Sequence, residues 1–376
     1  MKILIAPDSF KGSLSAEQVC DCIEEAAVAE IKGVRCTKLP VSDGGEGMVE
    51  ALLSVKGGER IACLVTGPLG EKVSAEYGIL TDGTAVIEMA SASGLPLVPE
   101  GLRNPMETST FGTGELIADA AGRGCTQLIL GIGGSSTNDG GLGAANALGM
   151  RFYNEAGQGV KPCGKSLKTV HKIDHSALTA GVKKMKITIA CDVNNPLCGS
   201  NGSAFIYGPQ KGADPEMIKH LDAGLSNLAD IIERDTHKEL RHLPGIGAAG
   251  GMALPFVAFL GAELRPGLEI VLDFLDFDKN LKDVDVVITG EGRTDKQSAM
   301  GKVLTGVCRR AKKQGVPVIA LSGALEPGYE SLYEEGLSAA FAACSSTKPL
   351  SWQMENGAEN LTAAARNLFK LLQIKL

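Results

Sequence analysis

A chain of 376 residues, 44% hydrophobic and 22% charged, has ordinary globular composition and, at usual domain sizes, the length for two or three domains. Its net charge of −7, without a basic stripe, argues against nucleic acid and against anionic membrane surfaces, and no run approaches the apolar length of a membrane span. Ten scattered cysteines without a Cys-x-x-Cys pair, behind an N-terminal apolar run too short for a signal-peptide core, read as free thiols in a reducing cytoplasm.

Residues 2–5 predict a buried strand. Ser15 with Gln18 three residues on reads as a capping box, and Ala16, Val19, Ile23, Ala27 and Ile31 recur at helical spacing up to a stop at Gly33. A second strand is expected over 34–41. This strand–loop–helix–strand grammar marks an α/β protein. Over 72–80, Val73, Ala75, Tyr77 and Ile79 alternate with polar or small residues; the turn "TDGT" and the apolar run 85–90 follow, so a hairpin is expected. Residues 151–182 are polar and irregular, and 243–267 are rich in Gly, Ala and Pro. The last third returns to strand and helix: a strand over 283–290, a helix over 298–314, strands near 316–323 and 339–346, and a helix over 356–373. The expected architecture is α/β, a Rossmann-like three-layer domain with a second, inserted α/β domain carrying the hairpin. The first is drawn from 1–66, 100–150 and 283–376, the second from 67–99 and 151–282, with a site in the cleft between them.

Ligands of parallel sheets collect beyond the carboxyl ends of the strands. Here those ends carry "APDSFKGS", "SDGGEG", "GIGGSSTNDGG", "CDVNNPLCG", "TGEGRTDKQS" and "SGAL". Gly, Asp and hydroxyl residues recur in them, the mixture that phosphoryl transfer uses. Glycines let backbone N–H groups approach phosphate, carboxylates hold Mg²⁺ or take a proton, and Lys or Arg offsets charge. No Walker or protein-kinase signature is present.

The expected catalytic residues are Asp192 or Asp8 as base, with Lys11 and Arg293 as cations. Gly133, Gly134, Ser135, Ser136, Thr137, Gly290, Gly292 and Lys302 are expected to hold nucleotide phosphates. Ser9, Ser42, Asp43, Glu46 and Asp139 are expected on the substrate, and Asp295 and Asp43 on the metal. Each has a plainer reading. Ser13 and Ser15 fit helix caps, Arg293 and Asp295 fit an exposed pair, Asp139 fits a cap of the following helix, and Gly247–Gly251 fits close packing. His171 and His175 have metal-like spacing without a third ligand nearby. Gly131-x-Gly133-x-x-Ser136 approaches a dinucleotide fingerprint, with Glu155 as its distant acid, but the third glycine is replaced and Asp139 would oppose a pyrophosphate.

Seven blocks, "APDSFKGSLSA" (6–16), "PVSDGGEG" (40–47), "GIGGSSTNDGG" (131–141), "CDVNNPLCG" (191–199), "GPQKGA" (208–213), "GAAGG" (247–251) and "TGEGRTDKQS" (289–298), closely resemble the bacterial glycerate kinase type I family in order and across the whole chain. The resemblance implies ATP with Mg²⁺ as cofactors, D-glycerate as the small-molecule partner, and 2-phosphoglycerate as product, with 3-phosphoglycerate as the alternative. It also implies two α/β domains with the site in the cleft; a monomer or homodimer in the cytoplasm is expected. An NAD-dependent oxidoreductase of a small hydroxyacid and a non-catalytic hydroxyacid sensor are the other classes. All five histidines lie outside the strand-end loops, which disfavours the oxidoreductase.

Overall fold

A computed structural model describes residues 1–42, 47–296, 298, 303–344 and 346–374. The chain divides into two compact units. One comprises Met1–Asp43, Glu50–Lys56 and Leu268–Leu376; the other comprises Gly44–Val49 and Gly57–Gly267.

In the first unit, the strand Lys2–Ile5 buries Ile3, Leu4 and Ile5 in succession. Consecutive burial requires cover on both faces of a sheet, because neighbouring side chains point to opposite sides. The sheet has five strands, ordered Leu337–Ala342, Val318–Ser322, Val286–Thr289, Lys2–Ile5, Arg35–Lys38, and every neighbouring pair is parallel. Numbered along the chain the order is 2-1-3-4-5, a doubly wound arrangement whose direction reverses between Lys2–Ile5 and Val286–Thr289. On one face, Ile3, Ile5, Ile288 and Leu321 cluster with Val19, Ile23 and Ala27 of the helix Ala16–Glu30 and with Leu361, Ala365 and Leu368 of the helix Gly357–Leu371. The capping box is formed: Ser15 Oγ accepts from Gln18 N at 3.2 Å, and Gln18 Oε1 accepts from Ser15 N at 2.9 Å. The helix Val303–Lys313 packs on the strands Val286–Thr289 and Val318–Ser322.

The second unit holds a six-stranded mixed sheet, ordered Glu263–Arg265, Lys186–Ala190, Gln127–Gly131, Thr84–Glu88, Lys72–Leu80, Gly58–Thr66. The expected hairpin joins Lys72–Leu80 to Thr84–Glu88, with Gly83 at φ 81° in its turn. Gly58–Thr66 adds a third antiparallel strand that the sequence reading did not single out. From Thr84–Glu88 to Glu263–Arg265 the pairs are parallel.

Three expected boundaries change. Residues 57–66, expected in the first domain, belong with Gly44–Val49 to the second unit. Residues 100–150 were expected with the chain ends, yet Gln127–Gly131 pairs with Thr84–Glu88 and Lys186–Ala190, which places them in the second unit. Residues 268–282, expected in the second domain, belong to the first unit. There Arg310 bonds Glu269, Asp273 at 2.7 Å and Asp278 at 3.2 Å.

Candidate active site

The doubly wound sheet predicts a ligand site where its direction reverses, beyond Ile5 and Thr289. A cavity of about 530 Å³ lies there, lined by Asp8, Ser9, Phe10 and Lys11 from one loop and by Glu291, Gly292 and Arg293 from the other. The two loops are laced together: Asp8 N donates to Gly290 O at 2.9 Å, and Ala6 N to Ile288 O at 2.8 Å. The second loop also runs so close to residues 321–323 that only glycine fits there. A Cβ on Gly290 would lie 2.0 Å from Leu321 O, and one on Gly323 would lie 2.4 Å from Gly292 O. Thus Gly290 serves loop packing and is not a cavity-lining residue, whereas Gly292 lines the cavity.

Asp8 accepts from Ser9 N at 2.6 Å through Oδ1, and Ser9 Oγ lies 3.4 Å from the same oxygen. Arg293 is 62% exposed at its side chain and reaches Asp295 at 3.4 Å and Glu326 at 3.8 Å. Exposed pairs of this kind contribute little, so the guanidinium can exchange these partners for a ligand anion. Asp295, 16% exposed, does not line the cavity. Glu291 is buried, and its carboxylate accepts from Thr294 Oγ1 at 3.3 Å. Ser13 donates its hydroxyl to Met354 O at 2.6 Å. Phe10, Leu350 and Met354 form an apolar wall. Ser42 is buried and lines neither this cavity nor the next. Asp43, Glu46 and Lys302 lie outside the described residues.

The second unit carries its own cavity of about 380 Å³, at the carboxyl ends of Gln127–Gly131 and Lys186–Ala190. Gly133, Gly134 and Ser135 line it from the first strand, and Cys191, Asp192 and Val193 from the second. Asp192 Oδ1 accepts from Gly267 N at 2.8 Å. Tyr207, Gln210, Lys211, Ala248 and Ala249 complete much of the wall.

The loop Gly131–Gly141 is held from several directions. Leu95 N donates to Gly134 O at 2.8 Å, and Gly140 N donates to Gly250 O at 2.9 Å. A Cβ on Gly250 would sit 2.3 Å from Thr137 O, so the "GAAGG" segment acts as close backbone packing. Three expected ligand contacts are corrected here. Ser136 gives both its amide and its hydroxyl to Ser93 O, each at 3.0 Å. Thr137 is fully buried, its Oγ1 without a hydrogen-bond partner among the described residues. Asp139, expected on the substrate, is fully buried; its carboxylate accepts from Thr110 N, Thr110 Oγ1, Gly141 N and Gly143 N at 2.8–3.1 Å. Burial pushes its pKa up against those four donors. It is an internal anchor for the loop and the start of the helix Leu142–Ala147.

The residue missed is Lys211. Its side chain is fully buried, and its ammonium donates to Ser135 Oγ at 2.8 Å and to Thr137 O at 2.6 Å. Burial lowers its pKa to about 7, with Asp139 pulling the other way. The only signal was the block "GPQKGA", a lysine between residues suited to a tight turn.

Among the described residues no three His, Cys, Asp or Glu side chains gather as a metal cage. His175 instead packs against Phe259, ring centroids 4.9 Å apart. No helix of the described residues is long and apolar enough to cross a membrane.

Comparison with known proteins agrees with this geometry. The family model described as the glycerate kinase family matches residues 3–373. A glycerate kinase of Halalkalibacterium halodurans is 48% identical over 97% of both chains. A glycerate 2-kinase of Escherichia coli is 46% identical over 100% of this chain and 98% of its own. A crystal structure from Salmonella typhimurium LT2, named there a candidate glycerate kinase 2, superposes with a TM-score of 0.91 at 45% identity, covering 99% of this chain and 98% of that one. With a doubly wound sheet that ends in acid- and glycine-rich loops, and with likeness from end to end, this chain is a kinase and belongs to the glycerate kinase family.

Proposed function

We propose that the chain transfers the γ-phosphoryl group of ATP to D-glycerate, giving 2-phosphoglycerate and ADP. The observation that carries this reading is the near-complete coverage, at 46% identity, of a relative named glycerate 2-kinase. The loops supply groups of the required kind. Backbone N–H groups of Gly133, Gly134 and Ser135 suit phosphate oxygens, since a loop without bulky side chains admits an anion to its amides. Lys11 and Arg293 suit the substrate carboxylate or the γ-phosphate, and Ser9 a substrate hydroxyl. Either Asp192 or Asp8 accepts the proton of the attacking hydroxyl, a role in which a carboxylate mainly orients the nucleophile.

Mg²⁺ comes as part of the MgATP substrate. It ordinarily takes one or two protein carboxylates together with phosphate oxygens and water. Asp295 is the carboxylate proposed for it; bound there, Mg²⁺ would neutralise charge on the transferring group.

The test is ³¹P NMR of the product formed from D-glycerate and MgATP. Coupling of the phosphorus to a single proton identifies 2-phosphoglycerate, and coupling to a methylene pair identifies 3-phosphoglycerate and overturns the regiochemistry. A spectrum without any phosphoglycerate overturns the kinase reading.

A further inference from the structure

We propose that Lys211 contacts substrate directly: its ammonium, fixed by Ser135 and Thr137, donates to an anionic oxygen seated against Gly133–Ser135. This rests on the reading above, that the cavity of the second unit takes a charged group of the reaction.

Lys211 is 2% exposed, yet both of its hydrogen-bond partners are neutral, a hydroxyl and a carbonyl. Among the described residues no carboxylate pairs with it at ion-pair distance. Asp139 attracts it through space without an ion-pair contact, and a buried ammonium with no carboxylate in direct contact remains strongly unfavourable, a charge that proteins usually pair or neutralise. Linking a hydroxyl to a carbonyl would require only a neutral donor. The cation gains its purpose when negative charge arrives, and an ammonium has three N–H donors of which two are engaged.

The residue reaches the cavity from a rigid turn. Pro209–Lys211 is one helical turn closed at Gly212, whose φ is 91°. A Cβ on Gly212 would stand 2.3 Å from Arg103 O, so the turn is locked where it is. Lys211 and its partner Ser135 both line the cavity, together with Gly133 and Gly134, so the ammonium and the glycine amides border the same space.

The other titratable or charged groups around Lys211 are Asp139, which acts on it from inside the loop, and Asp192, Cys191 and Tyr207 on the cavity wall. Burial raises the pKa of both Cys191 and Tyr207, so neither supplies a negative charge at neutral pH. With Lys211 pushed down to about 7 by burial, an incoming anion draws a proton onto it.

The anion is a nucleotide phosphate or the glycerate carboxylate, and separate titrations distinguish them. Isothermal calorimetry of the wild-type protein at pH 8, with ADP and then with D-glycerate, is run in two buffers of different ionisation heat. The expected result is proton uptake with one of the two ligands, and at least about a tenfold loss of affinity for that same ligand in folded Lys211→Met. The ligand affected identifies the source of the anion. Buffer-independent heats with both ligands, or unchanged affinity for both in the folded variant, overturn the proposal. Should the variant not fold, folded Ser135→Ala, which removes one of the two groups holding the ammonium, takes its place, and unchanged affinity for both ligands in it overturns the proposal. Wild-type protein that forms no phosphoglycerate defeats the kinase reading instead, an outcome that the same preparation reports by ³¹P NMR.

Discussion

At Asp139 four donors converge on one buried carboxylate, and the consequence of removing it follows directly. Asp139→Ala leaves three backbone N–H groups and a hydroxyl without their acceptor, so unfolding free energy in urea should fall by about 3 kcal/mol or more. Asp192 and Asp8 border cavities and make a different prediction. If one is the proton acceptor, its replacement by Asn lowers kcat by about a hundredfold or more while the fold survives. Near-wild-type kcat in both variants overturns that assignment.

Lys211 gives a pH signature in stability. Its pKa is about 7 folded, against an ordinary 10.5. Below about 7 both folded and unfolded states hold the proton, and the penalty of the buried charge is fully present. Between about 7 and 10.5 the unfolded state binds more protons, so stability rises with pH across that window. The stability of the wild type relative to Lys211→Met, followed by thermal melts from pH 6 to 10, should climb accordingly. Little in the sequence marks this residue, because burial of a lone lysine depends on which distant loops close over it. Asp8, Lys11 and Asp192 were legible as cavity-lining residues because they lie in the loops that follow apolar strands, and a strand end dictates where its next residues emerge. Asp139 has the same sequence context, and only its surrounding donors show that it faces inward.

Local chemistry was the most readable level at the scale of elements. Ser15 and Gln18 reciprocate as their spacing requires, and Ser15→Ala should lower stability by about 1 kcal/mol in denaturant unfolding without changing kcat. The hairpin turn and the apolar stripe of the last helix likewise follow from residues close in the chain. Pairing partners were not readable in this way. The run Leu128–Leu130 declares itself a buried strand, but nothing in its periodicity says whether it lies beside Ile5 or beside Ile87. The structure puts it beside the latter, and residues 100–150 follow it. Gly58–Thr66 carries the apolar run 61–65 behind Glu59 and Arg60, and its place at the sheet edge follows only from its pairing with Lys72–Leu80.

Over the whole molecule the ten cysteines provide a measurable fingerprint. Cys20, Cys125, Cys163 and Cys308 are buried, five are partly covered, and Cys344 alone is exposed. Burial raises the pKa of Cys20, Cys36, Cys198 and Cys308 well above the ordinary thiol value, so thiolate is scarce at neutral pH. Burial raises the Cys344 pKa as well, so its exposure sets it apart: one thiol is expected to react with a disulfide reagent ahead of the other nine in native buffer and all ten in denaturant, and Cys344→Ser should remove that first phase. Because Cys344 borders the cavity of the first unit, that first reaction should also obstruct the cavity. The class of the fold was legible from alternating strand and helix signals. Assigning segments to units was not, because the first unit is assembled from separated pieces of chain.

That discontinuity has a consequence for synthesis. Lys2–Ile5 lies between Arg35–Lys38, made soon after it, and Val286–Thr289, made about 280 residues later. At a translation rate of about 5–20 residues per second, Ile3, Leu4 and Ile5 wait roughly 15–60 s for that neighbour. The second unit has all of its described strands by Arg265, so it can fold on the ribosome first. The earliest strand to emerge is thus among the last to be fully covered. In a growing cell the strand Lys2–Ile5 on the nascent chain, rather than the finished enzyme, is where chaperones would be needed most.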